Sequence, residues 1–459
     1  MKTKLFYLVG VVFLLWSTGT FTSCINGVDD EYLELVNSGS GGRDTVGEDG
    51  LKLPDLNGNY EQGGDFELKM IYNGEELSGK RVNVAADELN ETATITLSGV
   101  DKDLSEMLGG LLEFKFETFS PVPGIKEIVL PNVTLYNSKG IDYRFTGGLI
   151  EPTYTLNYEG TIKDGKMEIS INHQLANQKL AGTWDLAPNS TTGSTWLFSP
   201  LCLDWDSRVQ VNLGKVSIVT IKGEMNGIFS LLTGVLSSYI MKSIIGVNIK
   251  TMDLIRNMLK GMTAQPDGCM FATYSYSGDV LHPEWSSNMP RNAIRYYYDP
   301  ENPDKKLYME VNPDFLIGLI SGLTNPTLKS RAAADPEVTK ELGRQLIALL
   351  TPVLQKGIPC DYVLEGNNLT VNIDGVVLRD ILRKLFELAN DEVARPVVEE
   401  LINNSLGDLG SNIMNLIRLV PYTLKYHDAT TYDPVTNVPL DATGECAYVK
   451  FGLKFVKVN

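Results

Sequence analysis

Three aromatic residues are the candidates for direct contact with a ligand. Trp205 stands between Asp204 and Asp206, Trp285 lies in a polar stretch, and Tyr297 is the middle residue of a run of three tyrosines. An aromatic ring can pack against the apolar face of a sugar while neighbouring carboxylates accept hydrogen bonds from its hydroxyl groups. The sequence therefore predicts a glycan contact at these residues. The alternative is that the three rings pack at sheet edges and domain contacts.

The sequence carries no motif of a common enzyme class. It lacks the Gly-x-Ser-x-Gly, Walker, Rossmann and His-Glu-x-x-His patterns, and its three histidines are far apart. A glycosidase needs only two carboxylates close in space, and a chain with 57 acidic residues leaves that option open. We expect a protein that is not an enzyme, with no catalytic residue, no metal ion and no cofactor.

The charge of the chain excludes one class of partner. The formal net charge is -17, and the 40 basic residues form no run. Affinity for nucleic acid depends on clustered Lys and Arg, so we expect no nucleic-acid partner. An anionic membrane surface would also repel the chain, and membrane attachment must therefore come from a lipid.

The N-terminus predicts such a lipid. Lys2 and Lys4 precede an apolar run from Leu5 to Trp16, which is too short to span a bilayer, and Cys24 follows a Thr-Ser pair. This arrangement resembles the bacterial lipobox, whose cysteine is acylated after cleavage. We expect a signal peptide at 1–23, with Cys24 anchored in the membrane through its acyl chains. A plain secretory peptide and an uncleaved anchor helix are the alternatives.

The segment after Cys24 predicts a place on the cell surface. Residues 24–52 are rich in Gly and Ser and are expected to form a flexible tether. Asp29, Asp30 and Glu31 resemble the acidic export signal of Bacteroidetes lipoproteins, which implies the outer membrane with the protein facing the cell exterior. The alternative is that acids are simply frequent here. Thr45, in Asp-Thr-Val, resembles a Bacteroidetes O-glycosylation acceptor.

Residues 53–187 predict an antiparallel β-barrel. Apolar and polar residues alternate in several short runs, and turn signals separate the runs. The clearest hairpin is residues 160–171, where Asp164-Gly165 supplies the positive φ angles of a two-residue turn. About eight short strands without a long helix favour a closed barrel, because closure removes exposed strand edges.

Three segments of this barrel carry a family resemblance. They are Leu56-Asn57-Gly58-Asn59-Tyr60, Val129-Leu130-Pro131-Asn132-Val133 and residues 160–166. The region resembles the calycin-like β-barrel domain of Bacteroidetes lipoproteins, and the whole chain is similar to a family of two-domain lipoproteins of unknown function. Calycins generally enclose a small apolar ligand, so the resemblance implies such a ligand here.

Residues 194–459 predict an α+β domain with helices packed on an antiparallel sheet. A weak repeat of helical segments and strands runs through it, and the chain ends in a strand at 448–458. The helical segments are 228–261, 315–354 and 377–419, and the strands that follow them are 269–276, 360–364 and 422–426. A membrane-spanning helix at 228–247 is rejected, since Lys242, the serine pair at 237 and 238 and two glycines are unfavourable in hydrocarbon.

Four cysteines follow the anchor, namely Cys202, Cys269, Cys360 and Cys446. An exported protein meets an oxidising compartment, which allows one or two disulfides. Cys269 with Cys360 and Cys202 with Cys446 are the pairs that neighbouring strands could bring together. Buried apolar thiols are the alternative.

Two functions remain open on the sequence. The first is the binding of a lipid or other small apolar ligand, in the barrel or in a methionine-lined pocket of the second domain. The second is glycan binding or adhesion at Trp205, Trp285 and Tyr297. A hollow barrel would favour the first function, and a filled barrel with an exposed aromatic platform would favour the second.

Overall fold

A computed structural model describes most of the chain between residues 56 and 458. The described ranges are 56–87, 91–103, 115–138, 142–189, 199–216, 219–234, 237–277, 279–312, 351, 355–392, 395–406 and 410–458. The signal peptide, Cys24, Asp29, Asp30, Glu31 and Thr45 lie outside them, as do nearly all residues of the predicted helices at 315–354.

The first half of the described chain forms strands. They are β1 (Gly58–Glu61), β2 (Phe66–Tyr72), β3 (Glu75–Glu76), β4 (Lys80–Asp87), β5 (Thr92–Gly99), β6 (Asp101–Asp103), β7 (Lys115–Glu117), β8 (Glu127–Thr134), β9 (Tyr136–Ser138), β10 (Asp142–Ile150), β11 (Tyr154–Lys163) and β12 (Lys166–Leu175). β6 and β7 form a separate ribbon, and the others make one sheet in the order β8-β5-β4-β1-β2-β12-β11-β10-β9, with β3 beside β2.

This first sheet curls into a nearly closed, barrel-like shape. Its hydrogen-bonded path ends at β8 and β9, and β8 approaches β10 across the remaining gap. Pairing is antiparallel as predicted except at β2, which runs parallel to both β1 and β12. The parallel pairing with β12 joins the beginning of the barrel to its last hairpin, whereas β1 and β2 are neighbours in the chain.

The turn chemistry explains the hairpins of this sheet. Asp164 and Gly165 have φ values of 49° and 72°, and Lys163 pairs with Lys166 across the turn, as predicted. Asn73 and Gly74 make the same kind of turn between β2 and β3. Both central residues need positive φ, which Gly adopts without strain and Asn and Asp tolerate.

Apolar side chains fill the inside of the first sheet. On β5 and β12 buried residues alternate with more exposed ones, so one face of each strand points inward. Several inward side chains have no solvent-exposed surface at all, namely Tyr60, Val82, Ile95, Leu97, Leu156, Ile162 and Ile169. A ligand-sized cavity would leave accessible surface on the side chains around it, so this region is a packed core.

A second sheet contains the strands of the remaining chain. They are β13 (Gly182–Leu186), β14 (Leu201–Trp205), β17 (Leu259–Ala264), β18 (Met270–Ser275), β19 (Trp285–Ser286), β20 (Ile294–Tyr298), β21 (Lys306–Val311), β22 (Ile358–Glu365), β23 (Asn368–Ile373) and β24 (Val449–Lys457), while β15 (Gln210–Val216) and β16 (Val219–Glu224) form a ribbon. The order is β19-β18-β17-β13-β24-β23-β22-β21-β20, with β14 beside β24 and all pairs antiparallel.

The second sheet also curves back on itself. Cys269, just before β18, pairs with Arg295 on β20, and the Tyr296 amide donates to the Gly268 carbonyl at 2.7 Å. Its first strand, β13, lies at 182–186 and pairs with β17 and β24. The last strand of the segment predicted as the barrel domain therefore hydrogen-bonds in the second sheet.

Six described helices accompany the second sheet. They are α1 (Met225–Thr233), α2 (Ser237–Ile245), α3 (Thr251–Met258), α4 (Gly375–Ala389), α5 (Arg395–Leu406) and α6 (Gly410–Lys425). Among the described residues, no helix combines the length and apolar character needed to cross a membrane.

The predicted elements of the second domain are confirmed in part. Strands occur at β18, β22 and β24, where they were predicted. The predicted helix at 228–261 is three short helices, and its last residues belong to strand β17. The predicted strand at 422–426 is wrong, because residues through Lys425 belong to α6, where Leu424 is buried against the sheet. Helical packing of this apolar face outweighs its β-forming composition.

Candidate functional site

Trp205 is a core residue. It is 3% exposed, its ring stacks on Phe229 with centroids 5.9 Å apart, and its indole Nε1 donates to the Thr423 carbonyl at 3.1 Å. Strand β14 turns this side chain under α1 and α6. The prediction that Trp205 contacts a ligand is not supported by this position, since its whole ring is enclosed by protein.

Tyr297 connects the two sheets. Its ring stacks on Tyr308 with centroids 5.0 Å apart, and its hydroxyl donates to the Lys356 carbonyl at 2.6 Å. The ring also lies flat against Gly124, in the segment before β8, where an added Cβ would come within 2.4 Å of it. Burial raises the pKa of this phenol. Tyr297 therefore packs between domains, which is the alternative considered for it on the sequence.

Trp285 is exposed, with 38% of its surface accessible. It lies on the edge strand β19 opposite Ser275, whereas Cys269, at the other end of β18, pairs with Arg295 near Tyr297. Six residues of extended chain separate Ser275 from Cys269, which is about 20 Å. The structure therefore does not bring Trp205, Trp285 and Tyr297 together.

Trp285 instead lies on a hairpin that carries other exposed side chains. We call residues 275–277 and 279–286 the aromatic hairpin. Tyr276 and Leu281 of this hairpin are 48% and 51% exposed. Isolated exposed apolar residues are ordinary, but three large ones within ten residues of one hairpin are a concentration that commonly marks a binding surface.

Hydrogen bonds hold the tip of the aromatic hairpin in shape. Asp279 accepts the Leu281 amide at 2.9 Å and contacts His282 Nδ1 at 2.8 Å, and the hydrogen bond from His282 lowers the pKa of this carboxyl. Val280 packs beside Met258 of α3, and its carbonyl accepts a hydrogen bond from Asn257 at 2.8 Å. The loop is thus preorganised before any ligand binds.

A carboxylate lies beside the exposed rings. The Tyr276 amide donates to the Glu284 carbonyl at 3.0 Å, so the two residues are cross-strand neighbours. A hydrogen bond between the Tyr276 hydroxyl and the Glu284 carboxylate raises the pKa of Tyr276. Strand pairing puts Tyr276 opposite Glu284 and Trp285 opposite Ser275, so Tyr276 and Glu284 share one face of the hairpin and Trp285 lies on the other.

A second constellation, which the sequence reasoning missed, lies where the two sheets meet. We call Tyr72, His173, Asp267, Arg291, Arg295 and Glu310 the polar junction. Arg295 donates to Glu310 Oε1 at 2.6 Å and to the Pro121 carbonyl, and its guanidinium lies 5.5 Å from the centre of the Tyr72 ring. Arg295 is 3% exposed and Glu310 is 6% exposed, so this is a buried ion pair.

His173 is the titratable group of the polar junction on the side of the first sheet. Its Nδ1 lies 3.0 Å from the Asp267 carbonyl, and its ring stacks on Tyr72. A carbonyl only accepts hydrogen bonds, so Nδ1 carries the proton and Nε2 is an acceptor. Burial lowers the pKa of His173 to about 4. The His173 imidazole is therefore neutral at pH 7, and its role at this place is structural.

The carboxylates that flank Trp205 hold loops together. Asp206 accepts the Ala447 amide at 2.8 Å and lies 3.4 Å from His427 Nε2, while His427 Nδ1 lies 2.6 Å from Asp428. The described residues contain no group of three or more His, Cys, Asp or Glu side chains arranged to hold a metal ion.

The disulfide prediction is wrong, because all four described cysteines are free. Cys269 pairs with Arg295 on β20 and Cys360 with Leu307 on β21, so two strands separate the thiols by about 14 Å, against a limit of about 7 Å. Cys202 pairs with Gly452 within β24, whereas Cys446 lies before that strand begins. Burial raises the pKa of Cys202 to about 11 and that of Cys269 to about 12, which makes both thiols inert fillers.

No protein family, no characterised protein and no solved structure matches the chain. The resemblance to two-domain Bacteroidetes lipoproteins therefore remains a prediction from the sequence. The proposed function rests on the geometry of the molecule.

Proposed function

We propose that the protein is a non-enzymatic surface lipoprotein that binds a neutral carbohydrate on the aromatic hairpin. The observation that carries the proposal is the exposure of Tyr276 on a hydrogen-bonded hairpin beside the Glu284 carboxylate. Sugar rings present C–H groups that pack on aromatic faces and hydroxyl groups that donate to carboxylates. A rigid hairpin loses little conformational entropy when it binds.

The negative charge of the chain and of the hairpin restricts the class of ligand that can bind. The chain has a net charge of -17, and the hairpin adds Asp279 and Glu284 at the patch itself. The one basic residue of the hairpin sequence, His282, is already paired with Asp279. An anionic ligand would be repelled by these carboxylates, so a neutral glycan fits better than a sulfated or phosphorylated one.

The alternative function is the binding of an apolar ligand inside the barrel or in a methionine-lined pocket. The packing of the interior gives it less support. The inward side chains of the first sheet have no exposed surface near its centre. Met225, Met252, Met258 and Met262 are all buried among other apolar residues, so they fill the core of the second half. This packing favours recognition on the outside of the molecule.

The carbohydrate proposal predicts a local loss of affinity. Of two hairpin variants, Tyr276→Ala should weaken binding of the best neutral oligosaccharide from a glycan array by about tenfold or more, since aromatic anchors contribute about 2 kcal/mol when truncated. Trp285→Ala changes the opposite face of the hairpin and should weaken binding less. Isothermal titration with the purified protein measures the change. Tyr136→Ala is the matched control, because this tyrosine is 60% exposed on an edge strand of the first sheet.

Two outcomes would contradict this assignment. The first is that no neutral glycan binds at all. The second is that the Tyr136→Ala control weakens binding as much as the hairpin variants do, which would move the binding surface to the other sheet.

The membrane anchor is part of the proposal. We propose that Cys24 is acylated after removal of residues 1–23 and holds the protein on the outer membrane, with the acidic run Asp29, Asp30 and Glu31 directing it to the cell exterior. Intact-mass analysis of the mature protein should show an N-terminal acylated cysteine. An unmodified Cys24 or a retained Met1 would overturn the anchor, whatever the hairpin binds.

A further inference from the structure

The polar junction joins the two sheets by several direct contacts. The Leu175 amide at the end of β12 donates to the Pro266 carbonyl at 2.9 Å, and the Arg291 amide donates to Glu75 at 3.1 Å. Asp267 pairs with Arg291 and accepts the Cys269 amide at 2.9 Å. The first and second sheets are therefore connected directly, at the surface through Glu75 and inside the protein through Asp267 and Leu175.

Unpartnered buried polar atoms gather at this junction. Among the described residues, eight buried side-chain N or O atoms have no hydrogen-bond partner in the protein. Four of the eight belong to the polar junction, namely Tyr72 Oη, His173 Nε2, Arg291 Nε and Glu310 Oε2. Two more lie beside it, namely Asn73 Nδ2, whose side chain accepts the His173 amide, and Asn292 Nδ2, whose side chain contacts Cys269 Sγ. Leaving one such atom without a partner is costly, and native proteins rarely do so. Six in one place indicate a common partner.

Donors and acceptors are mixed among these six atoms. His173 Nε2 and Glu310 Oε2 are acceptors, since His173 Nδ1 already carries the ring proton. Asn73 Nδ2 is a donor, because its Oδ1 accepts the His173 amide at 2.7 Å. The Tyr72 hydroxyl can act as either. A partner of this site must therefore both donate and accept hydrogen bonds.

The charges of the site exclude ionic partners. Arg295 is paired with Glu310, and Arg291 is paired with Asp267, so two positive and two negative side chains are already balanced. A cation would meet the guanidinium groups at close range, and an anion would meet the two carboxylates, each in a medium of low dielectric constant.

We propose that the polar junction binds a cluster of ordered water molecules that links the two sheets. Water is small and neutral, and it donates and accepts at once, as the unpartnered atoms require. Tyr72, His173 and Glu310 are each more than nine-tenths buried, so these waters are enclosed rather than part of the surface layer. The site is separate from the aromatic hairpin and does not depend on glycan binding.

Removing the Tyr72 hydroxyl distinguishes a hydrated site from a dry one, because the urea midpoint is expected to fall in the first case and to stay or rise in the second. If Tyr72 Oη is bonded to water, Tyr72→Phe leaves that water short of a partner and lowers the urea midpoint. The drop should be similar to that of the control Tyr60→Phe, whose hydroxyl donates to the Leu56 carbonyl at 3.0 Å in an equally buried place. If Oη has no partner, Tyr72→Phe removes an unsatisfied group, and the midpoint stays or rises.

A high-resolution crystal structure of the wild-type protein gives the second measurement. We expect water density within hydrogen-bonding distance of Tyr72 Oη, His173 Nε2 and Glu310 Oε2, with loss of the water nearest Oη in the Tyr72→Phe crystal. A midpoint that does not fall in Tyr72→Phe overturns the proposal. So does an absence of such density, or density for a larger molecule in its place.

Discussion

Arg295→Met is expected to lower the free energy of unfolding by about 3 to 5 kcal/mol. The substitution leaves the Glu310 carboxylate buried without its partner, and it also removes the hydrogen bond to the Pro121 carbonyl and the contact with Tyr72. An unpaired charge in the interior costs far more than a paired one. Urea denaturation of the wild type and the variant measures the difference.

The double variant Arg295→Met, Glu310→Met is the control for this explanation. It removes both charges, so it should recover a large part of the lost stability. Lys69→Met is a further control, because Lys69 and Glu168 form a pair at 3.0 Å with both side chains about half exposed, and its loss should cost less than about 1 kcal/mol. Arg295→Met close to the wild type would show that the junction does not hold the sheets together.

Stability is expected to fall as the pH falls from 7 to 4, and His173 should account for about 3 kcal/mol of that loss. Burial lowers the pKa of His173 from 6.5 to about 4. Between these two pH values the unfolded chain binds a proton at His173 and the folded chain does not. The contribution is fully present above pH 6.5 and is lost as the pH falls toward the folded value. Arg295 disfavours the charged imidazole further, while the Asp267 carbonyl and carboxylate favour it.

The comparison with His173→Gln isolates this residue from the carboxylates that titrate in both proteins. The stability advantage of the wild type over the variant should shrink steadily from pH 7 to pH 4 in urea denaturation. Tyr60→Phe is the control, because the pKa of this buried phenol is about 12 and its loss changes stability without changing the titration between pH 4 and pH 7. Parallel curves for the wild type and His173→Gln would contradict the assignment.

Local features of the fold were predictable because they depend on residues close in sequence. The Asp164-Gly165 turn, the alternating strands of the first sheet and the strand that ends the chain all follow from neighbouring side chains. The predicted strand at 422–426 is wrong because neighbouring residues alone do not decide the structure of this segment. Its composition suits a strand, but burial of Leu424 and Thr423 against the sheet keeps it in α6.

The candidate sites were less predictable. Trp285 was found because an aromatic residue in a polar stretch is visible in the sequence, but the exposed Tyr276 beside Glu284 became visible only through the hairpin. Trp205 looked the same in the sequence and turned out to be enclosed. Which face of a strand is buried depends on what packs over it, and α1 and α6 come from later in the chain.

The sequence by itself determined the charge, the turn positions, the alternation of the strands and the absence of common catalytic motifs, since these depend only on composition and on short spacing. Only the tertiary structure decided that β2 lies parallel to β12, that the cysteines stay apart and that Tyr72 and His173 meet Arg295 and Glu310. The contacts of β2 with β12 and of Tyr72 with Arg295 join residues about a hundred or more positions apart. Their pairing follows from the way two curved sheets pack together, and short sequence patterns carry no information about it.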